Sequence, residues 1–160
     1  MKLSHPLFAA AALAVALLPS SALAQKDDYG VVSVSEQDRE MNAAKAEAKR
    51  TLPGFLKLLA APPAGTRSYQ IKYPLAGWEY IWVGKLRLEG DAIVGTLIND
   101  PEEPGYTFGQ TVRVPLTDVA DWGYYNADGV MQGHYTTRVL LKLLEPAEAA
   151  EIREILGWRE

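Results

Sequence analysis

Apolar residues recur at steps of three and four from Met41 through Ala44, Ala48, Leu52, Phe55 and Leu59, the spacing that draws one stripe down an α-helix. Glu36, Lys45, Glu47, Lys49 and Arg50 fall on its other faces. Ser35 followed by Asp38 supplies a start: a hydroxyl cap, then acid near the positive end of the helix dipole. Pro53-Gly54 interrupts the stripe and predicts a split into a long and a short helix, and the run Ala61-Pro62-Pro63-Ala64-Gly65 ends the helical section.

From Arg67 the period changes to two. Tyr69, Ile71 and Tyr73 alternate with Ser68, Gln70 and Lys72, which predicts a strand with one apolar and one wet face. Trp78, Tyr80, Trp82, Leu86 and Leu88 share the apolar side of the next strand, opposite Lys85, Arg87 and Glu89. Glu89-Gly90-Asp91 turns into Ala92 to Ile98, apolar on both sides and therefore expected at the centre of a sheet. A loop rich in Pro, Gly and acid runs from Asn99 to Gly109, followed by short strands at Thr111 to Pro115 and Val119 to Tyr125. Asp128-Gly129 is a hairpin signal before Val130 to Tyr135. Thr136 or Thr137 is positioned to cap a helical stretch with Val139, Leu140, Leu143 and Leu144 on its apolar face. Pro146 suits the first turn of one more helix, with Ile152, Ile155 and Leu156 on the buried side. The pattern predicts an α+β fold: an N-terminal helix, a curved, half-barrel-like antiparallel sheet of about six short strands, and C-terminal helices.

Ahead of this domain the pattern is of another kind. Lys2 precedes an unbroken apolar run from Leu7 to Leu18, and Ala22-Leu23-Ala24 is a small-x-small cleavage site. Residues 1–24 therefore read as a secretory signal peptide, too short in its apolar part for a stable span of about 20 residues. Cleavage would expose Gln25, leaving a polar lead-in at 25–34 and one α+β domain at 35–160, in the periplasm or secreted, without stable membrane insertion. There is no Cys, so lipid attachment, disulfides, thiolate metal sites and thiol catalysis are excluded. A net charge of −4 argues against nucleic acid, whose binders carry basic patches.

Certain residues resemble a bacterial family known as YegJ-like. They are Asp38 and Met41 with Ala44 and Ala48, then Lys72, Glu79 and Trp82, then Gly95, Asn99 and Pro101. The Asp121-Trp122 pair, Gly133-Tyr135-Thr136 and Arg138 are the most specific. The resemblance runs from about Glu36 to Leu144. It implies a boundary and a fold but no activity, since the family is a domain of unknown function, and it marks the helix after Pro146 as an addition.

Chemistry is thin. His134 is the sole imidazole after the leader, and no Gly-x-Ser-x-Gly elbow accompanies it. No catalytic residue, metal site or cofactor is therefore expected. The acidic run Asn99-Asp100-Pro101-Glu102-Glu103 lacks the ligand spacing of a calcium loop and reads as a solvated turn. The glycines form no phosphate-cradling run. Trp78, Tyr80 and Trp82, with Trp122, Tyr124 and Tyr125, read as core, because alternation of aromatics with charge is what a one-sided sheet demands; an exposed row would instead be a platform for sugar rings or peptide. Asp121 suits a carboxylate accepting backbone or indole hydrogen bonds at a strand end, and Glu79 with Arg138 an ion pair.

Glu79, Asn99, Asp121, His134 and Arg138 sit at or near strand ends or a helix entry. Two expectations follow for them: at least three converge on one binding region, or each serves separately as a cap. The function expected is a non-catalytic binding or interaction module of the cell envelope, its partner a protein, peptide or glycan. The alternatives are an immunity-type inhibitor of a toxin or hydrolase, which the acidity suits, and a carboxylate-dependent hydrolase built on Glu79 and Asp121.

Overall fold

A computed structural model describes residues 39–159; the expected signal peptide, lead-in and Ser35 cap lie outside the described residues. Helix α1 (Arg39–Ala60) buries Met41, Ala44, Ala48, Leu52 and Phe55, the stripe read from the sequence. It runs unbroken through Pro53, contrary to the expected split. Pro53 and Gly54 are exposed, and the carbonyl that Pro53 cannot serve belongs to exposed Lys49. The missing hydrogen bond therefore falls on the solvent side, while Leu52 and Phe55 stay packed on either side of it.

Six strands follow: β1 (Arg67–Leu75), β2 (Glu79–Glu89), β3 (Ala92–Leu97), β4 (Thr111–Pro115), β5 (Asp121–Tyr125) and β6 (Met131–Gly133). They form one antiparallel sheet in the order β4-β3-β2-β1-β5-β6, and the sheet is open rather than closed into a barrel. The fold is α+β. β3 lies one place in from the edge rather than at the centre: Ile93 and Leu97 enter the core, while Val94 and Thr96 on its other face stay half-buried.

The core joins Ala48, Leu52 and Phe55 of α1 to Ile71, Tyr73, Leu75, Ile81, Val83, Ile93, Leu97, Val112, Val114, Val119 and Trp122. Register decides this. Ile71 pairs with Val83 and Tyr73 with Ile81, and directly paired residues share a face. So Ile81 and Val83 take the core side of β2, not Tyr80 and Trp82. Both sides of this strand are apolar in sequence, and alternation alone could not choose between them. Trp78 is 54% exposed, Trp122 is core, and Tyr124 is half-buried against the core.

After β6 come α2 (Tyr135–Leu140) and α3 (Pro146–Ile155), with Pro146 in the first turn. Leu141 rather than Leu143 is buried after α2, and Ala149 and Leu156 rather than Ile155 are buried at α3. The segment beyond α3 closes the β6 edge: the Met131 amide donates to the Leu156 carbonyl at 2.8 Å, and the Trp158 indole donates to the Met131 carbonyl at 2.8 Å. A covered edge offers no unpaired row to another strand.

Candidate functional site

The sheet register lines up three side chains across one face. Lys72 on β1 pairs with Trp82 on β2 and with Asp121 on β5. Gln70, two residues back on the same face, pairs with Gly123. This is the side that the alternation marked as wet, yet Lys72 is only 7% exposed. The β6–α2 corner folds over it. Gly133 (φ +73°) and His134 (φ 51°) both adopt left-handed backbone, which reverses the chain from β6 into α2. Gly123 leaves room for the imidazole, since a Cβ there would collide with His134 Cδ2.

Asp121 is fully buried and accepts four hydrogen bonds. Its Oδ1 takes the amides of Trp122 (2.8 Å) and Tyr135 (3.2 Å), and its Oδ2 takes the amide (2.7 Å) and hydroxyl (2.6 Å) of Thr136. Tyr135 and Thr136 open α2, so a carboxylate from another strand caps this helix. Neither Thr136 nor Thr137 is the cap; residue His134 stands there and its side chain makes no cap bond. The Trp122 indole goes elsewhere, to the Ala48 carbonyl (3.0 Å) and Thr51 Oγ1 (3.2 Å). Burial raises the Asp121 carboxyl above its ordinary value, opposed by the Thr136 hydroxyl, by Lys72 and by the amides of Thr136 and Trp122.

Lys72 Nζ donates to Thr136 Oγ1 at 3.1 Å and lies 4.8 Å from the centre of the Trp82 ring. Because the Thr136 hydroxyl gives its proton to Asp121, it receives the one from Lys72. Carboxylate, hydroxyl and ammonium form a relay with no direct ion pair. Burial brings Lys72 down to about 8, with Asp121 resisting and Lys45 adding to the fall.

The His134 ring stacks on Trp82, centroids 4.1 Å apart and planes at 13°. The Gln70 side-chain amide donates to Nε2 at 2.8 Å, which assigns the proton to Nδ1, 3.1 Å from Thr137 Oγ1. Burial, reinforced by the positive charges of Lys72 and Arg138, takes the imidazole down to about 3, so it is neutral at physiological pH.

The five residues singled out from sequence divide. Asp121 and His134 meet in this cluster, one through Thr136 and the other through Trp82. Arg138 stands on α2 with its guanidinium 3.8 Å above the Trp158 ring, so it is no partner of Glu79. The buried Glu79 carboxylate takes the amides of Glu102 (2.9 Å) and Glu103 (3.0 Å), and Asn99 Oδ1 takes the Trp82 amide (3.1 Å). These two residues hold the 99–103 loop to β2. Sequence reasoning passed over Gln70 and Thr136 as members, and it left Lys72 on a solvent face. The signal available was Gly123, a glycine between Trp122 and Tyr124 in a strand, where close approach by another group is the usual reason.

A second feature faces solvent. Between α1 and the Trp122–Tyr135 region lies an open groove of about 540 Å³, with Phe55, Trp122 and Tyr135 among its aromatic lining and Arg50 and Lys57 among its cations. Among the described residues no group of three or more His, Asp or Glu is placed to hold a metal, and no helix is long and apolar enough to cross a membrane.

An α+β domain with a buried, internally bonded polar cluster matches a known family. The chain belongs to the family described as "Uncharacterized protein conserved in bacteria (DUF2314)", whose model matches residues 38–158. The match takes in α3 and the strand-closing segment after it, so the C-terminal helix is part of the family fold rather than an addition. The chain is similar to "Uncharacterized protein YegJ" of Escherichia coli (strain K12), 26% identical over 117 residues, covering 71% of this chain and 74% of that protein. No solved structure matches.

Proposed function

We propose that this chain is a non-catalytic binding or interaction module of the bacterial cell envelope. The observation that carries the reading is how the polar groups are used. Asp121, Thr136, Lys72, Gln70 and His134 bond to one another and to backbone amides beneath the surface, whereas the concave surface open to solvent is apolar with cations beside it. Carboxylates that act in hydrolysis flank a substrate. Glu79 and Asp121 are instead held by loop and helix-start amides, and neither lines the groove. The envelope assignment rests on the Leu7 to Leu18 apolar run and the Ala22-Leu23-Ala24 site.

The full chain expressed in a bacterial host tests both parts. Periplasmic extract should contain a protein whose intact mass begins at Gln25, and cross-linking in intact cells should give an adduct of defined mass with an envelope component. Recovery from the cytoplasm alone, or no adduct at any cross-linker dose, would refute the reading.

A further inference from the structure

We infer that the groove between α1 and the Trp122–Tyr135 region is a docking site for an acidic peptide segment of a partner protein that inserts an aromatic or large aliphatic side chain. This inference rests on the interaction-module reading and names its surface and its ligand chemistry.

Three observations meet here. The first is the lining. Phe55 stacks on Trp122 with centroids 5.0 Å apart, and Tyr135 meets Trp122 edge-on at 5.6 Å and 80°. Phe55 and Trp122 are core side chains, 1% and 7% exposed, so only their edges floor the groove, and half-buried Tyr135 and Leu58 supply its apolar wall around a volume of about 540 Å³.

The second is Gly54. It lies inside α1, where glycine is about 1 kcal/mol less favourable than alanine. Its φ is not positive, and a Cβ built on it meets nothing within 4 Å. No turn or close approach calls for glycine at this position. Its consequence is an open groove wall, which any larger residue would narrow.

The third is charge. The chain as a whole is acidic, at −4. Yet α1 carries Arg39, Lys45, Lys49, Arg50 and Lys57 against Glu40 and Glu47. Two of these cations, Arg50 and Lys57, line the groove, and the Arg50 guanidinium is held in place by Glu47 at 2.5 Å. Lys45 is engaged with Tyr80 away from the groove, and the pair Arg50 and Lys57 on an acidic protein favours an acidic partner over a basic one.

The test uses the exported chain from Gln25 and two capped pentapeptides, Asp-Phe-Leu-Asp-Glu and Lys-Phe-Leu-Lys-Lys, observed through the ¹⁵N-labelled indole resonance of Trp122. The acidic peptide should shift that resonance saturably, and the basic one should bind at least tenfold more weakly. Gly54→Leu should weaken the acidic peptide at least tenfold without lowering the thermal midpoint, because the new side chain enters empty space. Exchanging both cations (Arg50→Glu with Lys57→Glu) should invert the preference between the peptides. Equal binding of the two peptides, or full affinity in Gly54→Leu, would overturn the inference. So would concentration-dependent dimerisation abolished by Gly54→Leu, which would give the groove to a second copy. An envelope adduct that persists undiminished in Gly54→Leu would sink the groove alone; peptide binding by a chain found only in the cytoplasm would sink the envelope reading alone.

Discussion

Acidifying the protein from pH 7 to pH 4.5 should destabilise it through His134, by an amount that follows from its surroundings. The folded imidazole sits near 3, against an ordinary value of 6.5, because it is buried and faces the positive charges of Lys72 and Arg138. The folded value is the lower one, so between these limits the unfolded chain binds a proton that the native state refuses. Stability from this group is complete above pH 6.5 and falls as the pH drops toward 3. Two pH units below the unfolded value, at about 1.4 kcal/mol per unit, the loss is about 3 kcal/mol. Urea unfolding of wild type and His134→Asn at several pH values measures it. Asparagine tolerates the left-handed backbone at φ 51°, and taking the difference between the two proteins cancels the other carboxylates. The wild-type advantage should shrink by about 3 kcal/mol across this range. A difference independent of pH, or a folded-state imidazole titrating near 6.5 by NMR, would refute the reasoning.

Two further outcomes follow from the same cluster. Lys72, at about 8 when folded and 10.5 when free, sheds its proton earlier in the native state, so its contribution should rise between pH 8 and 10.5 by about 3 kcal/mol, and Lys72→Met should flatten that rise in urea unfolding. Gly123→Ala should drive the new methyl into His134 and Met131, costing about 1–3 kcal/mol and changing Trp82 fluorescence as the stacked ring is displaced.

Local pattern carried the elements further than it carried their faces. The α1 stripe predicts its own buried side because Met41, Ala44, Ala48, Leu52 and Phe55 all contribute to one continuous surface. Pro53-Gly54 signals a break that does not form, since neither residue lies on that surface. The alternation of β1 is real, but whether Lys72 is wet depends on Thr136 and His134, more than sixty residues further along the chain. No short-range periodicity encodes that cover. The cap of α2 has the same origin: Thr136 and Thr137 look sufficient locally, and the carboxylate that does the capping arrives from β5. Of the site candidates, Asp121 and His134 were found as polar residues at a strand end and a corner. Gln70 looks ordinary and Thr136 looks like a local cap until sheet register and the corner bring them together.

We propose that the buried polar cluster holds the fold and that recognition belongs to the groove. Asp121→Asn tests it most directly, because Asp121 both caps α2 and balances Lys72 through Thr136. Losing the cap costs about 1 kcal/mol, and leaving a buried ammonium without its counter-charge costs more, so urea unfolding at pH 7 should show a loss of about 3 kcal/mol. The native fraction of the variant should bind the acidic peptide at the groove with unchanged affinity. An unfolding free energy within about 0.5 kcal/mol of wild type, the range of inert surface substitutions, together with lost binding would contradict the account and make the cluster itself the site.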